Sequence, residues 1–220
     1  MERDEKWAVI AGQRRVLAGL LDGLDAAQWD QPSLCSQWRV RDVAAHIALT
    51  PQSPSVLRIL GIGLRARGDF DVVNRDLAVG HADRAGAELV SELRRLADSR
   101  RKPGITTLDN LLFDTLVHVQ DVAVPLDRTV AMPLAAAREG ADRVWRMGWP
   151  FWARRRLRGL RLSATDVEWA AGDGVEVRGP VQVLLLLLTG RTGAALPQLT
   201  GSGVQRLAGE GARPSSQFPR

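Results

Sequence analysis

Hydrophobic residues recur every three or four positions through the first part of the chain. This spacing is typical of amphipathic helices that bury one face. It predicts four helices, at about Asp4–Leu24, Val40–Thr50, Ala82–Arg100 and Thr106–Val124. The connection between the second and third helices is longer than the others and is expected to hold a further helix at Ser55–Leu64. Residues 1–130 are therefore predicted to form a four-helix bundle with one extended connection.

The pattern changes after Pro125, where shorter segments follow one another. The sequence there predicts a helix, two strands and a second helix, at about Leu134–Met147, Leu160–Thr165, Val175–Arg178 and Val181–Thr189. Gly172 and Gly174 indicate a turn before the second strand. Residues 131–209 are therefore expected to form a small α+β domain, and residues 210–220 a flexible tail. The chain as a whole is predicted to be mainly α-helical.

Three polar side chains interrupt the apolar surface of the fourth predicted helix. Asp114, His118 and Asp121 are spaced four and three residues apart, so they share one face of the helix. The rest of this helix is almost entirely apolar, which indicates that it is buried together with its polar face. Because an unpaired buried charge is costly, a bound metal ion is one way to balance this face. A buried, hydrogen-bonded His–Asp pair that joins two helices is the alternative.

A second histidine, His46, lies at the edge of the apolar side of the second predicted helix. Two histidines and one carboxylate form a three-ligand set that leaves one coordination position open, as in catalytic zinc sites. Asp121 is better placed to support a ligand, or to pair with a buried cation, than to bind a metal itself. The remaining histidine, His81, precedes the third predicted helix and is expected to be exposed.

Composition narrows the range of partners and compartments. Hydrophobic residues make up 45% and charged residues 25% of the 220-residue chain, as in ordinary globular proteins. The net charge is +5, but Arg alternates with Asp and Glu through most of the chain, so no nucleic-acid partner is expected. No apolar run approaches the length of a membrane span, so no membrane partner is expected either. The single cysteine, Cys35, and a charged N-terminus without a secretion signal favour a cytoplasmic location.

Three segments of the chain resemble motifs of a known family. The motifs are a tryptophan followed by an Asp-Val-x-x-His helix, an acidic-x-x-x-His-x-x-Asp helix, and a Gly-Pro helix that ends in Gly-Arg. They lie at Leu34–Ala48, Asp114–Asp121 and Gly179–Arg191. In this order they resemble the mycothiol-dependent maleylpyruvate isomerase family of actinobacteria, within the DinB-like superfamily. The resemblance implies a DinB-like four-helix bundle followed by a small C-terminal α+β domain.

The same resemblance implies a site and a chemistry. A divalent metal ion, usually zinc, would be held by His46, Asp114 and His118, with Asp114 at a position where the family usually has Glu. Arg191 would face the active site from the C-terminal domain as a catalytic residue. Mycothiol would be the thiol cosubstrate, and its metal-bound thiolate would attack a small electrophilic molecule. The reaction would be isomerisation of the maleylpyruvate type or transfer of the thiol.

Alternatives to this interpretation remain open at the level of the sequence. Asn74 and Arg75, in the connection nearest the expected opening of the bundle, are weaker candidates for substrate contact. The protein is expected to be a monomer or a homodimer. The main alternative function is a non-catalytic helical bundle that binds a metal or another ligand. A DNA-associated regulatory role is less consistent with the sequence, because no basic recognition helix is visible.

Overall fold

The structure, a computed structural model, describes residues 1–52, 80–104 and 106–211. It divides the chain into two units, Met1–Val130 and Ala131–Arg220. Helices predominate among the described elements, and the prediction of a mainly α-helical fold is confirmed. No helix that the structure describes is both long enough and apolar enough to cross a membrane.

The first unit contains the four helices that the hydrophobic spacing predicts in its described part, and one short helix in addition. They are α1 (Arg3–Leu21), α2 (Ala26–Asp30), α3 (Val40–Leu49), α4 (Gly86–Leu96) and α5 (Leu108–Ala123). Helix α1 packs against α4 and α5, and α3 packs against the same two helices. Buried aliphatic side chains from all four long helices meet in one core. The further helix predicted at Ser55–Leu64 lies outside the described residues.

Helix α4 is shorter than the third predicted helix, since it begins and ends four residues inside the expected range. Its end is fixed by Arg14, a buried residue of α1. The Arg14 guanidinium donates hydrogen bonds to the carbonyl oxygens of Leu96, Ala97 and Ser99 at 3.5, 3.3 and 2.9 Å. A cation is favourable there because the last carbonyl groups of a helix have no partner within it. Burial lowers the pKa of Arg14 to about 10, so the side chain remains charged at neutral pH.

The second unit contains the predicted helices and strands, with several shorter elements around them. Its described helices are α6 (Leu134–Arg146), α7 (Ala153–Arg156), α8 (Val181–Leu188), α9 (Thr192–Ala195) and α10 (Val204–Gly211). Its described strands are β1 (Leu160–Ala164), β2 (Ala170–Ala171) and β3 (Val175–Gly179). Helix α8 is almost entirely buried and packs against α6, β1 and β3. Residues 212–220 of the predicted tail lie outside the described part of the chain.

The three strands form a sheet in the order β2-β1-β3, in which β3 is parallel and β2 antiparallel to β1. The connection from β2 to β3 therefore has to pass the start of β1. It does so through the predicted turn, where Gly172 and Gly174 have φ angles of 78° and 128°. A Cβ atom at Gly172 or Gly174 would lie 2.4 or 2.2 Å from the carbonyl oxygen of Leu160 or Gly159. Glycine is required at both positions because no side chain fits there.

Candidate metal centre

Helix α5 places Asp114, His118 and Asp121 on one face, as their spacing predicts. The helix begins after Thr107, whose side-chain oxygen accepts a hydrogen bond from the backbone N–H of Asn110 at 3.1 Å. Nearly every residue after the first turn of α5 is buried. The helix thus runs through the core of the first unit, and its polar face is enclosed with its apolar ones.

Helix α3 contributes His46 and is anchored at its start by two charged side chains. The carboxylate of Asp42 accepts hydrogen bonds from the backbone N–H of Arg39 at 2.8 Å and from its guanidinium Nε and Nη2 at 3.0 Å each. The backbone N–H of Arg39, at the start of α3, therefore has a hydrogen-bond acceptor without a Ser or Thr cap. An ion pair between Arg39 and Asp30 at 3.0 Å ties the same helix start to α2.

Three side chains converge where α3 packs against α5. We call His46, Asp114 and His118 the triad. The Nε2 atom of His46 lies 3.3 Å from Oδ2 of Asp114, and the Nε2 atom of His118 lies 3.3 Å from Oδ1 of the same carboxylate. Their side chains are 18%, 32% and 11% exposed, respectively, so they are shielded but reachable from solvent. The structure therefore brings together the three residues that the sequence singles out as ligands.

Asp121 lies behind the triad. It is fully buried, and its Oδ2 accepts a hydrogen bond from Nδ1 of His118 at 2.8 Å. Because a carboxylate can only accept, Nδ1 carries the proton, and Nε2 of the neutral imidazole then offers its lone pair toward the triad. A carboxylate behind a histidine is a common support of metal-bound imidazoles, because it fixes both the tautomer and the ring orientation.

The charges at the triad favour a cation. Burial alone would lower the pKa of His118, but the charge and hydrogen bond of Asp114 and the hydrogen bond of Asp121 raise this pKa to about 9. Burial alone would raise the pKa of Asp114, but His118 and then His46 hold it well below its usual range. Both carboxylates beside His118 therefore stabilise positive charge, whether it comes from a proton or from a metal ion.

The donor set of the triad fits a divalent transition metal. One candidate ligand atom from each of the three residues lies within 4.8 Å of the others. Two imidazole nitrogens and a carboxylate are ordinary zinc ligands, and the same set suits iron, manganese or nickel. The shorter side chain of Asp114, compared with Glu, still reaches both imidazoles, because its two oxygens lie between them.

Trp38 contacts both imidazoles of the triad. Its indole ring stacks on the imidazole of His118, with ring centres 6.1 Å apart and an angle of 5° between the planes. It meets the imidazole of His46 edge to face, at 5.4 Å and 71°. Trp38 belongs to the first of the three motifs above, but its place in a loop gave no indication of where its ring would point.

The remaining predicted site residues are Arg191, Asn74 and Arg75. Arg191 follows α8 in the second unit, and its Nη1 donates a hydrogen bond to the carbonyl oxygen of Thr189 at 2.8 Å. This contact places a cation at the C-terminal end of α8. Asn74 and Arg75 lie outside the described residues.

The expectation that His81 is exposed is wrong. Its Nε2 lies 2.6 Å from Oε2 of Glu92, a buried residue of α4, and only 11% of the His81 side chain is exposed. The other oxygen of Glu92, Oε1, accepts a hydrogen bond from Nε2 of Gln52 at 2.7 Å. We call Gln52, His81 and Glu92 the Glu92 cluster. The partner of His81 lies eleven residues further along, on α4, outside the local pattern from which its exposure was predicted.

Comparison with known families identifies the first part of the chain. The sequence model of the mycothiol maleylpyruvate isomerase N-terminal domain matches residues 10–103. This range contains His46 but ends before α5, so the assignment of Asp114 and His118 depends on the geometry described above. No curated protein matches the chain significantly.

Two solved structures share the fold. A crystal structure of the mycothiol-dependent maleylpyruvate isomerase has a TM-score of 0.62 at 16% sequence identity and covers 100% of this chain and 97% of that chain. A crystal structure of a histidine-to-alanine mutant of the mycothiol-dependent maleylpyruvate isomerase has a TM-score of 0.61 at 15% identity, with the same coverage. At such identity the likeness shows the fold alone. The domain match confirms the family resemblance predicted from the sequence: residues 10–103 are similar to the mycothiol maleylpyruvate isomerase N-terminal domain.

Proposed function

We propose that this protein is a mycothiol-dependent metalloenzyme that uses a metal-bound thiolate to attack a small electrophilic molecule. The observation that carries the proposal is the triad, in which two imidazole nitrogens and one carboxylate converge from two packed helices. The family resemblance supports mycothiol as the thiol. The electrophile would be maleylpyruvate or a related unsaturated acid in an isomerisation, or another electrophile in a transfer of the thiol.

Each residue of the site has a role in this proposal. His46 and His118 would bind the ion through Nε2, and Asp114 through a carboxylate oxygen. Asp121 would hold the His118 ring by its hydrogen bond to Nδ1. When bound, a zinc ion or a similar divalent ion would favour the thiolate of a coordinated thiol, which is the nucleophilic form. With three protein ligands, a position would remain for the thiol.

The isomerisation follows from the chemistry of a thiolate and a conjugated double bond. The sulfur adds to one alkene carbon, and the electron pair of the double bond moves to the neighbouring carbonyl to form an enolate. The former double bond is now single and can rotate. When the enolate collapses, the carbon–sulfur bond breaks, and the thiolate and the trans isomer are released. In a transfer reaction, the enolate carbon would instead take a proton and the carbon–sulfur bond would remain.

Arg191 is proposed to bind a carboxylate of the substrate or to stabilise the enolate. This role is carried over from the resemblance of the segment that ends at Arg191, and a guanidinium is suited to it because it can bind a carboxylate through two N–H groups. Its Nη1 contact with Thr189 occupies one donor of the guanidinium.

The test is a thiol-dependent activity assay on the full chain loaded with zinc. Maleylpyruvate and mycothiol would be supplied, and formation of the trans isomer would be followed by chromatography. We expect activity to require both metal and thiol, to be lost in His118→Ala, and to persist in His81→Ala, the matched variant from the Glu92 cluster. A metal-loaded wild type that turns over neither maleylpyruvate nor a panel of other electrophiles would contradict the proposal and favour a non-catalytic binding protein.

A further inference from the structure

We propose that Trp38 is a positioning residue whose indole ring holds the imidazoles of His46 and His118 in the orientation that aims both Nε2 atoms at Asp114. For the consequences on metal binding, this inference rests on the function proposed above. The orientation of the two rings can be measured without any metal. Trp38 would touch neither the metal nor the substrate in this role, so its effect would act entirely through the two histidines.

The three rings form one aromatic assembly. Trp38 lies parallel to the imidazole of His118 and edge to face with that of His46, and the two imidazoles meet each other at 4.9 Å and 67°. Centroid separations of about 4.5–7 Å in stacked or edge-to-face geometry are those in which aromatic rings attract one another beyond simple burial. The indole therefore contacts His118 by stacking and His46 in an edge-to-face arrangement.

The backbone that carries the indole ring is fixed in turn by hydrogen bonds within its loop. The backbone carbonyl of Trp38 accepts hydrogen bonds from the N–H and the hydroxyl of Ser33 at 2.8 and 2.9 Å. The backbone N–H of Trp38 donates to the carbonyl of Cys35 at 3.0 Å. Next to Ser33, the N–H of Leu34 donates to the backbone carbonyl of Asp121 at 3.1 Å. The loop that carries Trp38 is thus tied to α5 at the residue that also holds His118.

These contacts hold the imidazole of His118 from two sides. Asp121 holds His118 through its side chain and the loop through its backbone, and the loop returns to stack Trp38 on His118. The hydrogen bond to Asp121 fixes the tautomer of His118. The stack restricts tilting of the same ring, and the edge contact restricts His46. A side chain that only filled space in the core could be replaced by another apolar group without altering either ring.

Magnetic resonance of the metal-free protein tests the positioning directly. The chain has three histidines, so His81 serves as an internal reference within the same molecule. We expect Trp38→Leu to shift and broaden or split the imidazole carbon–proton signals of His46 and His118 and to leave those of His81 unchanged. Trp38→Phe, which keeps an aromatic ring, should restore single narrow signals. Trp29→Phe is the matched control, because Trp29 lies in the same hydrophobic core cluster.

Metal affinity provides the second readout. We expect Trp38→Leu to weaken zinc binding, measured by competition with a chelator, by about tenfold or more, as for loss of other groups that orient a ligand. The absorption bands of the cobalt-substituted protein should change in the same variant. Trp38→Phe and Trp29→Phe should bind zinc with affinity close to that of the wild type and retain its cobalt spectrum.

The outcomes separate this inference from the proposed function. A folded Trp38→Leu variant with single narrow imidazole signals for His46 and His118, or with wild-type zinc affinity, would overturn the positioning role. If Trp38→Leu does not fold, Trp38→Met, which fills the space without a ring, takes its place. A wild type that binds no metal would overturn the proposed function, and the imidazole signals would still decide the role of Trp38.

Discussion

The first unit contains two clusters in which a histidine contacts a carboxylate, and their geometries differ. In the Glu92 cluster, each carboxylate oxygen accepts one short hydrogen bond, at 2.6 Å from His81 Nε2 and at 2.7 Å from Gln52 Nε2. Arg84 and Arg95 lie within ion-pair distance of the second oxygen, at 3.7 and 3.8 Å. In the triad, each oxygen of Asp114 lies 3.3 Å from a separate imidazole nitrogen. The first cluster has one imidazole and an amide N–H group that only donates, whereas the second has two imidazoles, each of which can offer a nitrogen lone pair to a metal ion that displaces its proton.

This difference shows what distinguishes a candidate metal site from a structural contact. A histidine beside a carboxylate is found in both clusters, so that pairing does not discriminate between them. What discriminates is the convergence of several electron-pair donors on one point, and a further carboxylate behind one of the imidazoles. The Glu92 cluster instead joins Gln52, which follows α3, and His81, which precedes α4, to a buried carboxylate of α4. We interpret it as a structural clamp.

Replacement of the central carboxylate in each cluster should give the largest difference in zinc affinity between the two clusters. Asp114→Asn removes the anion between the two imidazoles, and a neutral amide is a poor substitute for a carboxylate ligand. We expect zinc affinity, measured by chelator competition, to fall by more than the roughly 10–100-fold that loss of a supporting hydrogen bond costs. Glu92→Gln, the matched change, should leave zinc affinity unaltered. Equal losses in both variants would remove the distinction between the clusters.

A smaller effect on metal binding is expected from Asp121→Asn. The amide oxygen can still accept a hydrogen bond from Nδ1 of His118, but the negative charge that makes this imidazole a better ligand is lost. Zinc affinity should fall by roughly 10–100-fold and less than in Asp114→Asn. An effect as large as that of Asp114→Asn would indicate that Asp121 itself binds the metal.

Glu92→Gln should change stability instead of metal binding. The new amide can accept only one of the two hydrogen bonds, so the donor of His81 or Gln52 is left facing an N–H group. The exposed side chain of Gln52 can turn to water, whereas an unsatisfied donor on the shielded His81 costs up to about 1–3 kcal/mol. The free energy of unfolding, measured by urea denaturation of the metal-free protein, should fall by this amount. No change in the denaturation midpoint would contradict the clamp interpretation.

The smallest expected effect is on the pH dependence of stability, compared between the wild type and Glu92→Gln. Burial would raise the pKa of Glu92, but hydrogen bonds from Gln52 and His81 lower it below its ordinary value. A lowered folded-state pKa stabilises the protein above the pKa of the unfolded state, near about 4.3, and this contribution is lost as the pH falls through the folded-state value. The stability advantage of the wild type over Glu92→Gln should therefore shrink below about pH 4.3. A constant advantage would show that the charge of Glu92 does not matter.

The sequence was informative where local pattern determines structure. The spacing of Asp114, His118 and Asp121 was sufficient to predict a shared helix face, and the apolar residues around them predicted its enclosure. His46 could be associated with them because two histidines and a carboxylate form a known catalytic zinc set, and because the segment around His46 resembles a family motif. These inferences depend on periodicity and on ligand chemistry, both of which are visible in a single sequence.

Features that depend on contacts between distant residues could not be predicted in the same way. Helix α4 ends where Arg14, from another helix, caps its carbonyls, although the sequence has no helix breaker before Pro103. His81 is shielded because it contacts Glu92, eleven residues further along the chain and itself buried on α4. The ring of Trp38 points at the triad because its loop is tied to Asp121, and loop residues have no periodicity that indicates direction. The two-residue strand β2 is too short to produce a pattern.

The central claim is that the triad binds a divalent metal and that the Glu92 cluster does not. The most direct measurement is the metal content, by elemental mass spectrometry, of the wild type, His118→Ala and His81→Ala, each purified without chelator or affinity tag and supplied with divalent metals. The account predicts one bound equivalent in the wild type and in His81→Ala, and none in His118→Ala. A folded wild type that retains no metal, or a His118→Ala variant that retains as much as the wild type, would contradict it.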